Sequence, residues 1–89
     1  MAWKVELSSL AIKNLSQLDP QIAKRVMVFL LNRVALSDSP RNIGAALQGS
    51  ELGEFWKYRV GDYRVIVQIL DKEVKILVVK IGNRKEVYR

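Results

Sequence analysis

The feature that most constrains the fold is a run of three strand-forming segments between residues 54 and 82, separated by short polar turns. Within residues 54–60, Trp56, Tyr58 and Val60 alternate with Phe55, Lys57 and Arg59, and residues 63–70 and 74–81 are rich in β-branched residues. Gly61-Asp62 has the composition of a tight hairpin turn, and residues 71–73 form a second polar turn. This pattern predicts three consecutive antiparallel strands.

The first part of the chain is predicted to supply one strand and a helical hairpin. Residues 3–7 alternate apolar and charged side chains, which is typical of a half-buried strand. The serines that follow can cap a short helix ending near Leu18. Asp19-Pro20 then starts a longer helix, because proline lacks the amide hydrogen that has no partner at the first helical position. Its apolar stripe ends at residues 37–40.

Residues 41–53, between the two halves, hold three of the five glycines and show no sustained period. They predict a loop with one helical turn near residues 43–47. The order is therefore strand, helix, helix, strand, strand, strand, in a chain of 89 residues. We predict an α+β fold in which a two-helix hairpin packs on one face of an antiparallel sheet. Residues 1–89 are expected to form this single domain.

Two absent residue types limit the possible chemistry. The chain has no cysteine and no histidine. Disulfides, thiolate metal sites, cysteine nucleophiles and the commonest general base are therefore excluded, and with them zinc fingers and Ser-His-Asp hydrolases. Any catalysis must rest on lysine, arginine, tyrosine and carboxylates. We expect no metal and no cofactor.

The charge balance favours a polyanionic partner. The chain carries 15 basic and 9 acidic residues, a net charge of +6 that is spread over both halves rather than confined to a tail. No apolar run reaches the ~18 residues of a membrane span, and no secretory segment is present at the start. We therefore expect a cytoplasmic protein with no membrane partner.

Alternation along residues 55–60 assigns the side chains of this strand to two faces. Trp56 and Tyr58, and Tyr63 on the next strand, fall on the apolar phase and are predicted to lie in the core. Lys57 and Arg59 then point outward, on the face that the helices leave uncovered. By themselves these residues also fit a solvated sheet surface that deters edge pairing, and that interpretation stays open.

Residues 47–49, 56–66 and 79–88, with the Asp19-Pro20 helix start, resemble the RelE family of bacterial and archaeal toxins. A Gly-Asp-Tyr-Arg hairpin and a terminal Gly-x-Arg-x-x-x-Tyr occur in the order and spacing of that family. The resemblance covers essentially the whole chain. It implies a type II toxin that is bound by a RelB-like antitoxin. It also implies a metal-independent endoribonuclease that enters the ribosomal 30S A site, cleaves messenger RNA there and inhibits translation.

Cleavage of RNA without metal or histidine needs the 2′-hydroxyl to lose a proton while it attacks the adjacent phosphorus. A cluster of cations can assist that loss and stabilise the charge that builds on the phosphate oxygens. Lys57 is the best available base, because neighbouring cations lower the pKa of a lysine, whereas the guanidinium of Arg59 hardly deprotonates and would hold phosphate. The resemblance implies that Arg64 stabilises the transition state, that Arg84 serves the leaving group, and that Tyr88 stacks on or orients a base. The cations expected to contact RNA are Lys57, Arg59, Arg64, Lys80, Arg84 and Lys85.

Two other functions remain as alternatives. The ParE branch of the same superfamily resembles RelE in fold but binds and poisons DNA gyrase without nuclease activity. A second alternative is an inactive relative that only binds its antitoxin. Two positions depart from the RelE pattern, since Arg59 stands where lysine is common and Asn83 where many relatives have histidine. The basic cluster with a terminal tyrosine favours the RNA-cleaving branch.

Overall fold

Five strands and three α-helices follow one another along the chain in the computed structural model, which describes residues 2–47 and 55–83. A π-helical segment continues the second helix, and a 3₁₀ turn joins the last two strands. The elements are β1 (Lys4–Leu7), α1 (Ser9–Gln17), α2 (Pro20–Val28) with its π-helical continuation (Phe29–Val34), α3 (Pro40–Ile43), β2 (Ala45–Ala46), β3 (Phe55–Val60), β4 (Tyr63–Leu70), the 3₁₀ turn (Asp71–Glu73) and β5 (Lys75–Asn83).

Both predicted helix starts are confirmed by their caps. The Ser8 hydroxyl accepts the amide of Ala11 at 3.0 Å and begins α1. The Asp19 carboxylate accepts the amide of Gln21 at 2.9 Å and begins α2, with Pro20 at the first helical position. These bonds satisfy amide groups that have no partner inside the helix. Local sequence is therefore sufficient to place the helical hairpin.

The sheet has the order β1-β5-β4-β3-β2. Strands β3, β4 and β5 form the predicted antiparallel meander, and the α+β class is confirmed. The expectation of an antiparallel sheet needs one correction, because β1 lies parallel to β5, with Val5 opposite Ile76. Alternation tells which residues share a face, but it carries no information about the direction of a partner that is 71 residues away in the chain.

The segment that precedes β3 differs from its prediction. The helical turn lies at Pro40–Ile43 rather than near residues 43–47, and Ala45–Ala46 forms a short edge strand antiparallel to β3. Alanine has little preference for strands, so the pair gives no local signal of β structure. The strand exists because tertiary contacts bring this segment against β3.

The core lies between the helices and one face of the sheet. Tyr58 is 1% exposed and Trp56 packs against the core, as predicted, and Trp3 packs there too. Tyr63, which was predicted for the core, is half-buried and lies outside the cluster. Phe29 contacts the Tyr58 ring edge-on at 5.8 Å between centroids. No helix within the described ranges is long and apolar enough to cross a membrane. The buried cluster consists of Ala11, Val26, Leu30, Val34, Tyr58, Val65, Val67, Ile69, Ile76, Val78 and Ile81.

Side chains from the start of the chain cover part of the outer edge of β5. The pairing with β1 ends opposite Val78, and a bulge at the next residue interrupts the register with β4. At the bulge the Ser8 hydroxyl donates to the carbonyl of Val79 at 2.7 Å, and beyond it the Asn14 Oδ1 accepts the amide of Ile81 at 3.0 Å. These bonds take the place of a further strand at this edge. The helices within residues 2–47 and 55–83 pack on one face of the sheet, and we call the other the open face.

Candidate functional site

The sheet face away from the helices carries four basic side chains near the β3–β4 turn. Arg59 lies directly opposite Arg64, while Lys57 and Lys80 lie on either side of Ile66. Cross-strand partners point to the same face, and neighbouring strands are ~4.8 Å apart. The four cations therefore form two adjacent rows. We call Lys57, Arg59, Arg64 and Lys80 the basic face.

The members of the basic face differ in exposure. Arg59 is exposed and the other three are half-buried. Ile66 is only 6% exposed, although it lies outside the core cluster, which fits its place between two long lysine side chains. Lys57 and Arg64 are engaged in interactions within the protein, whereas Arg59 and Lys80 form no ion pair with residues 2–47 or 55–83. The positive charges of the basic face therefore surround a small apolar surface at Ile66.

An open cleft of about 350 Å³ lies beside the basic face, at the edge formed by β2. Ala45 is directly opposite Lys57 across the β2–β3 pair, so β2 and the end of α3 form one wall of the cleft. The opposite wall carries three of the four cations. The lining residues are Ile43, Gly44, Ala45, Lys57, Tyr58, Arg59 and Arg64.

Two contacts bring this wall close to β3. The Tyr58 hydroxyl donates to the carbonyl of Pro40 at 2.8 Å in a buried site, and burial raises the pKa of Tyr58 to about 12. At Gly44 a Cβ would lie 2.5 Å from the carbonyl oxygen of Lys57 and 2.8 Å from the Tyr58 ring. Glycine is needed here for close approach of two backbones. No local sequence signal predicts this role, because only the fold brings residues 44 and 57 together.

A clamp of three side chains ties α3 to the β4–β5 turn. The Arg41 guanidinium makes two hydrogen bonds to the Asp71 carboxylate, at 2.8 and 2.6 Å, and lies 5.8 Å from the centre of the Trp56 ring. The hydrogen bonds lower the pKa of Asp71 and raise that of Arg41. The sequence analysis did not single out Arg41, since its partner is 30 residues away.

The structure therefore brings together four of the basic residues predicted for the site. Lys57, Arg59 and Arg64 occupy neighbouring positions with Lys80 beside them. The other predicted site residues, Arg84, Lys85 and Tyr88, lie outside the described residues. Within those residues, no group of three or more acidic side chains could hold a metal ion.

The basic face has the chemistry of a phosphate site. Two facing guanidinium groups offer several fixed donors to phosphate oxygens, and an adjacent ammonium group adds a compact charge. The cleft beside them gives a bound chain access to Lys57 from the side. Such an arrangement can hold a phosphodiester and stabilise additional negative charge on it.

Comparisons with known proteins agree with this architecture. The family model described as ParE toxin of type II toxin-antitoxin system, parDE, matches residues 5–88. No curated protein sequence matches this chain.

Solved toxin structures share the fold at low sequence identity. The RelBE2 toxin-antitoxin complex of Mycobacterium tuberculosis contains a chain with a TM-score of 0.84 and 23% identity, covering 97% of this chain and 95% of that one. A chain of the archaeal RelE-RelB complex from Pyrococcus horikoshii has a TM-score of 0.75 and 24% identity, with 97% and 99% covered. The isolated RelE toxin of E. coli has a TM-score of 0.73 and 24% identity, with 98% and 92% covered.

Proposed function

This chain belongs to the ParE toxin family of the RelE/ParE superfamily, whose members are toxins of type II toxin-antitoxin systems, and we propose that it acts as a ribosome-dependent endoribonuclease. Its substrate is messenger RNA in the ribosomal A site, and cleavage inhibits translation. The observation that carries the proposal is the basic face, in which Arg59, Arg64, Lys57 and Lys80 occupy adjacent positions beside an open cleft.

The proposed reaction is attack of a ribose 2′-oxygen on the adjacent phosphorus, which breaks the bond to the 5′-oxygen of the next nucleotide. Arg59 and Arg64 hold the non-bridging oxygens, whose charge increases in the transition state. Lys57 borders the cleft and takes the proton from the 2′-hydroxyl. Lys80, on the far side of Ile66, binds a neighbouring phosphate. The reaction uses no metal ion and no cofactor.

Three residues near the end of the chain complete the proposal. Arg84 protonates or stabilises the leaving 5′-oxygen, Lys85 contacts the RNA backbone, and Tyr88 stacks on or orients a base. These roles rest on the resemblance to RelE toxins. Asn83, the last described residue of β5, lies opposite Tyr63, the neighbour of Arg64 along β4. Arg84 is the next residue in the sequence, which favours its delivery to the same phosphate.

The proposed partners are a RelB-like antitoxin, the small ribosomal subunit and messenger RNA, all in the cytoplasm. The similar solved structures include complexes of such toxins with RelB antitoxins or an antitoxin peptide. A net charge of +6 on 89 residues favours an acidic or amphipathic antitoxin segment through charge complementarity. Co-purification with the product of a neighbouring gene would test this partner.

A second candidate function is gyrase poisoning without nuclease activity. The observation that favours it is that the matching family model is the one described as ParE toxin. The two functions make different demands on the basic face, because binding to a protein does not need Lys57, Arg59 and Arg64 around one phosphate.

The deciding experiment is induction of the chain without its antitoxin, followed by mapping of new 5′ ends on translated messages. Cuts in phase with the reading frame support the nuclease, and DNA breaks that depend on gyrase support the second candidate. The matched variants are Lys57→Met, expected to abolish the cuts, and Lys24→Ala, an exposed cation on α2 that should leave them unchanged. Cuts that persist at full rate in Lys57→Met would remove that residue as the base.

A second measurement tests dependence on the ribosome. A domain of this size offers few groups for reading base edges, and sequence-specific recognition of RNA needs splayed bases and stacking surfaces. The purified protein should therefore cleave naked RNA poorly and ribosome-bound message well. Efficient, sequence-selective cleavage of free RNA would contradict the dependence on the ribosome.

A further inference from the structure

A second cleft, of about 260 Å³, lies on the helix side of the sheet, where the end of α1 meets the start of β4 and the end of β5. None of its lining residues carries a charge, so its polar groups are side-chain amides and a phenol. This sets it apart from the basic face on the other side of the same strands. We call it the amide cleft, and its lining consists of Asn14, Gln17, Leu18, Tyr63, Ile81, Gly82 and Asn83.

Several polar groups of the amide cleft are available to a ligand. The Asn14 Oδ1 accepts the amide of Ile81 at 3.0 Å, which holds the side chain in place and leaves its Nδ2 without a hydrogen-bond partner in residues 2–47 and 55–83. Within the same ranges, the Tyr63 hydroxyl and the Gln17 amide also lack partners. Tyr63 is half-buried, so its ring forms part of the cleft wall.

The amide cleft connects to the basic face around the end of β5. Tyr63 and Arg64 are successive residues of β4, so they point to opposite faces of the sheet. Arg64 is directly opposite Gly82, which also lines the cleft. Because Gly82 has no side chain and β1 ends opposite Val78, no β1 residue covers the path from the Arg64 guanidinium to the cleft. A chain bound at Arg64 can therefore turn around this edge.

We propose that the amide cleft binds one unpaired nucleobase of the RNA whose phosphate lies at Arg64. The inference deepens the proposed function, on which it rests, by assigning a base-binding subsite. Side-chain amides and a phenol both donate to and accept from base edges, and an aromatic ring supplies a stacking surface. With no cation in its lining, the cleft suits a neutral heterocycle rather than a second phosphate.

The test uses a three-nucleotide 2′-O-methyl RNA, which cannot be cleaved, and versions in which each position in turn is abasic. With isotope-labelled protein, we expect the base-bearing RNA to shift the side-chain amide signals of Asn14 and Gln17 and the backbone amide of Gly82. Loss of the base at one position should weaken binding about tenfold. At the other positions the effect should be smaller.

Conservative variants separate a binding role from a structural one. Asn14→Asp keeps the oxygen that accepts the Ile81 amide but loses the free donor, so the ratio of base-bearing to abasic affinity should fall. Tyr63→Phe and Gln17→Ala should lower the same ratio. Ser16→Ala, an exposed position on α1 outside the cleft, should leave it unchanged. Arg59→Ala should weaken both RNAs equally, since it removes only a phosphate contact.

The outcomes distinguish this inference from the proposed nuclease. Equal affinity for base-bearing and abasic RNA, or no binding of either at low salt, overturns the base subsite. If the protein cleaves message but gives such a result, the proposed nuclease function is supported and the base subsite is not. A base preference that Asn14→Asp removes, in a protein that cuts no message, supports the subsite and contradicts the nuclease.

Discussion

The two ends of the open sheet face hold their cations in opposite electrostatic settings. At the end far from the β3–β4 turn, the Lys75 ammonium lies 3.2 Å from the Glu6 carboxylate and 3.5 Å from that of Glu73. Like charges occupy facing positions at both ends, with Lys4 opposite Lys75 and Arg59 opposite Arg64. The difference is that, within residues 2–47 and 55–83, no carboxylate forms an ion pair with Arg59 or Lys80. The proposed function assigns this charge to RNA.

The largest expected effect comes from removing one cation from each end of the open face and comparing the cleavage rates of the two variants. Arg64→Ala should slow single-turnover cleavage on programmed ribosomes about 10²–10³-fold, because it removes a donor aimed at developing phosphate charge. Lys75→Ala, a cation on the same face with its own carboxylate partners, should cut at the normal rate. Equal losses in the two variants would mean that overall charge, not the position of the guanidinium, matters.

The wall beside the basic face offers a second way to test the comparison. Gly44→Ala should lower the free energy of unfolding by ~1–3 kcal/mol, because the new Cβ would meet the backbone oxygen of Lys57. Urea denaturation monitored by tryptophan fluorescence measures the change. Ala46→Ser, an exposed position two residues further along, on the edge strand β2, should be nearly neutral. A fully stable Gly44→Ala protein would show that residue 44 does not approach β3 this closely.

High pH should loosen the same wall through Tyr58. Burial raises the pKa of this phenol to about 12, so the folded state keeps a proton that the unfolded chain releases near pH 10. The contribution of Tyr58 is therefore fully present below pH 10 and falls by up to about 2 kcal/mol as pH rises to 12. The free energy of unfolding, measured across this range, should fall as pH rises. In Tyr58→Phe the part of this fall that is due to the Tyr58 phenol should be absent. A slope that survives in Tyr58→Phe would assign it to another group.

The salt dependence of RNA binding should also distinguish the two ends of the open face, with a smaller effect. Arg59→Ala and Lys80→Ala should each reduce the slope of log affinity for single-stranded RNA against log salt concentration by about 0.7, the value for one lost phosphate contact. Lys75→Ala should leave the slope unchanged, because Glu6 and Glu73 already neutralise that cation. Fluorescence anisotropy at several salt concentrations measures all three. A reduced slope for Lys75→Ala would extend the RNA path to the far end.

The smallest expected effect concerns the far end alone. The hydrogen bond and charge of Glu6, followed by the charge of Glu73, raise the pKa of Lys75. Glu6→Gln should lower the pKa of Lys75 toward its ordinary value, and Glu73→Gln should lower it less. Carbon NMR of the lysine ε-position against pH reports the change. If Lys75 titrates identically in both variants and in the wild type, Glu6 and Glu73 do not raise its pKa.

Much of the fold was predictable because its signals are local. The Asp19-Pro20 cap, the Gly61-Asp62 turn and the alternation along β3 each depend on residues within a few positions of one another. The same alternation placed Lys57 and Arg59 outward, which the register confirms. The parallel pairing of β1 and the edge strand β2 were not predicted, because each depends on a partner far away in the chain.

The sequence by itself determined the elements, the two faces of the sheet and the excess of positive charge. Only the tertiary structure decided which cations become neighbours and which receive carboxylate partners. It also decided that Gly44 approaches β3, that Arg41 binds Asp71, and that the amide cleft lies behind Arg64. The physical reason is range: caps, turns and alternation act over a few residues of backbone, whereas these contacts form only after the chain has closed loops of tens of residues.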